Sequence, residues 1–146
     1  MESLSNILDR KYPQFNTVTP QHSLRDALYQ MCCENLEYLV VLEGNDFIGL
    51  LSEQDVTHKL FAGNKPIDEL AVSDIMNCSL PVAESKDTIE WAMQVLSQYN
   101  SRYLAIFDQF EFKGIVSEKD LMKQTLNNRN RLAMESLAEE SFNKSY

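Results

Sequence analysis

Glycine is scarce in this chain, at four residues in 146. Neither a P-loop nor a glycine-rich dinucleotide turn can be written from so few, which excludes the common phosphate-cradling enzyme loops. Cysteine is sparse too. Cys32 and Cys33 are adjacent and Cys78 is remote. Neighbouring cysteines bridge only with strain, and no Cys-x-x-Cys or Cys/His ligand spacing occurs. Free thiols, buried or partly buried, are expected. Positive charge is the third shortage: 13 Lys and Arg stand against 22 Asp and Glu, a net charge of -9. Phosphate-backbone binding needs a basic surface, so nucleic acid is excluded as a general partner and an acidic membrane surface is disfavoured. A local basic pocket can still hold a small anion. Apolar runs are too short to span a membrane. The opening Met1–Arg10 lacks the charged-then-apolar layout of a signal peptide, so a cytoplasmic location is expected. Two histidines give no Ser/His/Asp relay, and His58 has no neighbouring ligand cluster, so neither a catalytic nor a metal site is expected.

What the chain has is a repeat. Gly49-Leu50-Leu51-Ser52-Glu53-Gln54-Asp55 returns as Gly114-Ile115-Val116-Ser117-Glu118-Lys119-Asp120, an offset of 65 residues. The register holds upstream: Ala27 pairs with Ala92, Asn35 with Asn100, Tyr38 with Tyr103, Leu39 with Leu104 and Phe47 with Phe112. One supersecondary unit is used twice. Two such units are expected to pack about a pseudo-twofold axis with related clefts at their junction.

Each unit reads as strand, helix, strand, strand, helix, an α+β class. Leu24, Ala27, Leu28 and Met31 form a helical stripe that Ile89, Ala92, Met93 and Leu96 repeat. Ser23 and Thr88 are suitable N-caps. Tyr38 to Leu42 is nearly continuous apolar, as a strand covered on both faces would be. Gly44-Asn45-Asp46 supplies a turn, whereas the second copy's turn, Asp108 to Glu111, has no glycine. The spacing predicts one module over 1–146: a first motif at 14–62, a linker at 63–78, a second motif at 79–126 and a helical tail at 127–146. Leu126, Ala133 and Leu137 share the tail's helical face. Val72–Met76 predicts a short helical turn before the second motif, and Leu4, Ile7 and Leu8 the same before the first.

Ser52 with Asp55, and Ser117 with Asp120, are the sharpest candidate sites. A carboxylate in a helix's first turn can accept both hydroxyls of a ribose, while Ser and the helix amides meet phosphate oxygens. Ser-x-x-Asp also has the form of a capping box, and capping alone explains both copies.

The paired Gly-h-h-Ser-x-x-Asp motifs, with Ser73-Asp74-Ile75-Met76 before the second, resemble the CBS motif, named after cystathionine beta-synthase. Two copies resemble a CBS pair, or Bateman module, over roughly residues 3–126. The resemblance implies clefts that bind AMP, ADP, ATP or S-adenosylmethionine as regulatory ligands in many members, and nothing in others. It implies a homodimer and an unidentified regulated protein, with no catalytic domain, channel or transporter attached here. It places the adenine contacts at Thr17, Val18 and Thr19 and at Pro81, Val82 and Ala83. Phosphates would then need cations. His58 and Lys123 stand at equivalent places, Lys59 and Lys119 nearby, and Arg102 stands where the first copy has Glu37. Phosphate-rich ligands are therefore expected near Arg102 and Lys123. Tyr29, Trp91 and Val95 are expected at the dimer face. The competing expectation is a ligand-free scaffold whose Ser/Asp pairs only cap helices.

Overall fold

The computed structural model describes residues 2–11 and 16–144. Helix α1 spans Leu4–Arg10. The first unit follows as β1 (Thr17–Val18), α2 (Leu24–Cys33), β2 (Tyr38–Glu43), β3 (Asp46–Ser52) and α3 (Glu53–Ala62). A 3-10 turn at Ile67–Glu69 and α4 (Val72–Ile75) lead to the second unit. That unit is β4 (Val82–Ala83), α5 (Ile89–Gln98), β5 (Tyr103–Asp108), β6 (Glu111–Ser117) and α6 (Glu118–Lys144). The first motif's expected start, at residue 14, lies outside the described residues.

Each unit builds one three-stranded sheet, in the orders β1-β2-β3 and β4-β5-β6. The lead-in strand is parallel to the middle strand and the hairpin is antiparallel. Register fixes the equivalence of the units. Thr17 faces Val40 and Val82 faces Ala105, so Thr17 corresponds to Val82 and Asn16 to Pro81. That moves the expected adenine segments by one residue relative to each other. It also exposes Val82, at 56% of its surface, while Ala83 takes the buried place that Val18 has in the first unit. Alternation across a two-residue strand leaves one side chain in and one out.

Local chemistry explains the helix ends. Ser23 Oγ accepts from Asp26 N–H at 3.1 Å, and Thr88 Oγ1 from Trp91 N–H at 3.1 Å. Both helices stop at a left-handed asparagine, Asn35 (φ 54°) and Asn100 (φ 49°). The next amides return to the helix, Leu36 N–H to Met31 O at 2.8 Å and Ser101 N–H to Leu96 O at 3.0 Å. This is the Schellman closure that left-handed C′ residues permit.

The core has three parts. Leu24, Ala27, Leu39 and Val41 pack in the first unit with Val72 and Ile75 of α4. Ala92, Leu96, Leu104 and Ile106 pack in the second with Leu4 and Ile7 of α1. The short helix ahead of each unit thus completes the other unit's core. Between them the two sheets meet through Val40, Leu50, Ala105 and Ile115. Val40 matches Ala105, and Leu50 matches Ile115, at the 65-residue offset, so this interface lies about the pseudo-twofold axis.

Two expectations are corrected, and a third gains its backbone explanation. Cys32, Cys33 and Cys78 are free but exposed, because the first two lie on the outward side of the last turn of α2. Val95 is buried against the second core rather than presented with Tyr29 and Trp91, which are exposed. The second hairpin closes without glycine by placing Gln109 (φ 51°) and Phe110 (φ 66°) in left-handed backbone. No helix among the described residues is long and apolar enough to cross a membrane.

Candidate functional site

Each Ser/Asp pair sits where a sheet hands over to a helix. Ser52 ends β3, and its Oγ accepts from Asp55 N–H at 3.2 Å and donates to Asp55 Oδ2 at 2.9 Å. Ser117 ends β6, and its Oγ accepts from Asp120 N–H at 3.1 Å, while Asp120 Oδ2 accepts from Ser117 N–H at 2.9 Å. Both serines are buried and both carboxylates are partly exposed. The amide that opens each helix is also taken. Glu53 N–H donates to Glu37 O at 3.1 Å and Glu118 N–H to Arg102 O at 2.8 Å. At least two of the four orphan amides of each helix start, and three at α6, are therefore closed within the chain, which weakens these termini as phosphate cradles.

Gly49 permits a further crossing beside the first site. Leu50 and Asn77 exchange backbone hydrogen bonds at 3.0 and 2.8 Å, and a Cβ on Gly49 would stand 2.7 Å from Asn77 O. The linker strand lies directly on the glycine, which explains the residue without recourse to turn geometry.

The charged candidates separate. Arg102 is exposed and lines a cavity of about 210 Å³ with Glu37, Glu53, Tyr103, Ser117 and Lys119. Glu37 and Arg102, expected to mark different clefts, share this one because equivalent residues near the axis converge. Lys119 pairs with Glu37 across the units. Arg102 also borders a second cavity, of about 450 Å³, floored by Met93, Leu96 and Leu121. Lys123 lines a different cavity, about 170 Å³, with Asp120, Arg10 and Lys11. Arg102 and Lys123, both expected near phosphate, thus line separate cavities. His58 is exposed on α3, and Lys59 Nζ is engaged with the carbonyls of Ile75 and Met76 at 2.8 and 3.2 Å. None of the three cavities around Arg102 and Lys123 is lined by Thr17, Val18, Thr19, Pro81, Val82, Ala83, Ser52, Asp55 or His58.

Tyr38 and Tyr103 pack on each other, edge to ring, at 5.1 Å. Burial, then the nearby Glu37 carboxylate, pushes the Tyr103 phenol up to about 12. Sequence reasoning missed Lys11. Its ammonium meets Asp120 Oδ2 at 2.5 Å, Ile115 O at 2.7 Å and the Tyr38 hydroxyl at 3.2 Å. Burial presses that ammonium toward neutrality, but Tyr38 and Asp120 outweigh it, and its pKa is raised. Nothing local in the sequence marks Lys11, because only the crossing of α1 to the second unit brings it there.

These features define a pseudo-twofold pair of β-α-β-β-α units with a capped Ser/Asp pair at each sheet-to-helix junction. Residues 72–127 match the family described as CBS domain. The chain is 27% identical over 125 residues to the CBS domain-containing protein YhcV of Bacillus subtilis, covering 86% of this chain and 89% of that one. The solved CBS domain structure NE2398 superposes with a TM-score of 0.79 at 25% identity, over 86% of this chain and 99% of that one. The CBS domain pair of protein MJ0100, solved with 5′-methylthioadenosine and S-adenosyl-L-methionine, gives a TM-score of 0.73 at 18% identity over 88% of this chain and 98% of that one. At that identity the likeness is one of fold. Residues 72–127 are thus a CBS domain, the first unit repeats its fold, and the chain as a whole is similar to CBS-domain pairs.

Proposed function

We propose that this chain is a regulatory module whose clefts bind adenosine-containing ligands and thereby alter its contact with a regulated protein. The observation that supports this most is the retention, at equivalent sheet-to-helix junctions, of a partly exposed carboxylate beside a buried serine. The bonds described at Asp55 and Asp120 all use Oδ2. Each carboxylate is proposed to accept both ribose hydroxyls, one on each oxygen, so a ribose also competes for Oδ2. The complex of the MJ0100 pair with two adenosine-type ligands supports the ligand class. AMP, ADP, ATP and S-adenosylmethionine are the candidates, with the base against Thr17, Val18 and Thr19 in one cleft and Pro81, Val82 and Ala83 in the other. His58, Arg102 and Lys123 are the cations proposed for phosphate. The motifs are assigned to 14–62 and 79–126, joined by the 63–78 linker, with 127–146 as a helical tail. The role proposed is binding rather than catalysis. A homodimer through the exposed Tyr29, Trp91 and Tyr99 is part of the proposal.

The capping box completed at Ser117 and Asp120, together with the serine cap at Ser52, favours a second reading, a scaffold without ligand, because each Ser and Asp already has a structural task. A thermal-shift panel with AMP, ADP, ATP and S-adenosylmethionine separates the two. A ligand at about 100 times its Kd stabilises the folded state by about 2.7 kcal/mol, a rise of several degrees in Tm. No shift with any of the four supports the scaffold.

A further inference from the structure

Lys11 lies against the second Ser/Asp junction. Its three acceptors, Asp120 Oδ2, Ile115 O and the Tyr38 hydroxyl, come from α6, β6 and β2, so both units contribute. Its side chain is 30% exposed. The same side chain borders two cavities. One, about 540 Å³, also touches Asp9, Ser85, Asp108 and Lys113. The other is the cavity of about 170 Å³ that holds Asp120, Arg10 and Lys123. The second alone is smaller than the 300–1,000 Å³ or so of ordinary ligand sites. Lys11 is the one lining residue the two share. The other unit has no counterpart. Its equivalent position is Met76, and Asp55 makes no ion pair among the described residues.

We propose that Lys11 is an internal occupant of Asp120 which a ligand must displace, and that it restricts this cleft to anionic, phosphate-bearing adenosine ligands. The inference rests on the reading above, in which Asp120 receives the ribose. A ribose at Asp120 takes the acceptor that Lys11 now holds. An uncharged nucleoside would then leave the partly buried ammonium with only a carbonyl and a hydroxyl. A partly buried charge that loses its counter-charge is destabilised. A phosphate supplies the replacement, with Arg10 and Lys123 on the same cavity wall. A sulfonium would meet three cations there. Displacement also frees the end of α1, whose start stays tied to the second unit through Leu4 N–H to Asp87 O and Ser5 N–H to Ser85 O, both at 2.9 Å.

The test uses the full chain with Asp55→Ala, which confines ribose capture to the second cleft. Calorimetry with ATP and with adenosine is run with Lys11 intact and with Lys11→Met, Lys11→Gln and Lys11→Arg. With Lys11 intact, ATP should bind at least about tenfold more tightly than adenosine. Lys11→Met should bring the two within about threefold, chiefly by tightening adenosine, and Lys11→Arg should keep the preference. Lys11→Gln serves if Lys11→Met does not fold. A preference unchanged in the neutral variants overturns the inference and leaves the adenosine reading standing. If neither nucleoside binds any variant, tripolyphosphate is titrated while amide NMR signals of Lys11, Tyr38 and Ile115 are followed. Movement with Lys11 intact, absent in the neutral variants, keeps the anion-selective gate while the adenosine reading fails. No movement overturns the gate as well.

Discussion

Tyr38 and Tyr103 stand 65 residues apart, hold the same place in their units, and touch each other with ring centroids 5.1 Å apart at 64°. Equivalent residues can meet only near the axis that relates them. Phe47 and Phe112 repeat the relationship, stacked at 4.3 Å. The two units are therefore energetically coupled through side chains. A double-mutant cycle on Tyr38→Leu and Tyr103→Leu, read by urea unfolding, should give a coupling of about 0.5–1.5 kcal/mol. Additive losses would mean that the rings are neighbours without interaction.

The serine caps make a simple stability prediction. Ser52→Ala and Ser117→Ala each remove the acceptor for the N3 amide. Each should cost about 1 kcal/mol in chemical denaturation, with glycine costing only a few tenths. The order Ser, Gly, Ala is the signature of a cap, and alanine matching serine would deny the role.

Phe110 sits fully exposed at the tip of the second hairpin with φ 66°, next to Gln109 with φ 51°. Bulky side chains are disfavoured there, and two-residue hairpins with both φ values positive prefer Asn-Gly. Replacing Gln109-Phe110 by Asn-Gly should stabilise the chain by about 1 kcal/mol or more in thermal unfolding. A destabilised variant would show that Phe110 makes a contact stronger than its backbone strain.

Alkaline pH should weaken the fold through Tyr103. Its phenol is raised from 10.0 to about 12, chiefly by burial. The folded state keeps the proton that the unfolded chain loses, so the stabilising contribution is whole below pH 10.0 and disappears as pH rises toward about 12. Tyrosinate absorbance should show one late-titrating phenol, and Tyr103→Phe should remove both it and its share of the pH-dependent loss.

Much of this fold is legible in the sequence because its signals are local and occur twice. The stripes from Leu24 and Ile89, the caps at Ser23 and Thr88, and the Ser/Asp junctions all repeat at one offset, and the structure has the corresponding elements. The paired Asn35 and Asn100 are legible as equivalent, though only the backbone reveals that both close a helix in left-handed conformation. What was hidden depends on long-range placement. Lys11 and Asp120 are joined by the crossing of α1 to the second unit, and no periodicity encodes that. Glu37 and Arg102 read as a difference between two clefts, yet convergence at the axis puts them in one cavity. The turn at Asp108 to Glu111 was legible, but not its left-handed Gln109 and Phe110, because pairing of β5 with β6 overrides the local backbone preference.

The central claim is ribose capture by Asp55 and Asp120, and calorimetry tests it most directly. Whichever of AMP, ADP, ATP and S-adenosylmethionine shifts the melting temperature is titrated into wild type, Asp55→Ala, Asp120→Ala and the double variant. Each single variant should weaken its own cleft by about 1.5–3 kcal/mol, the range for hydrogen bonds to a charged group, and the double variant should lose measurable binding. Unchanged affinity in the double variant would contradict the claim and assign both carboxylates to capping alone.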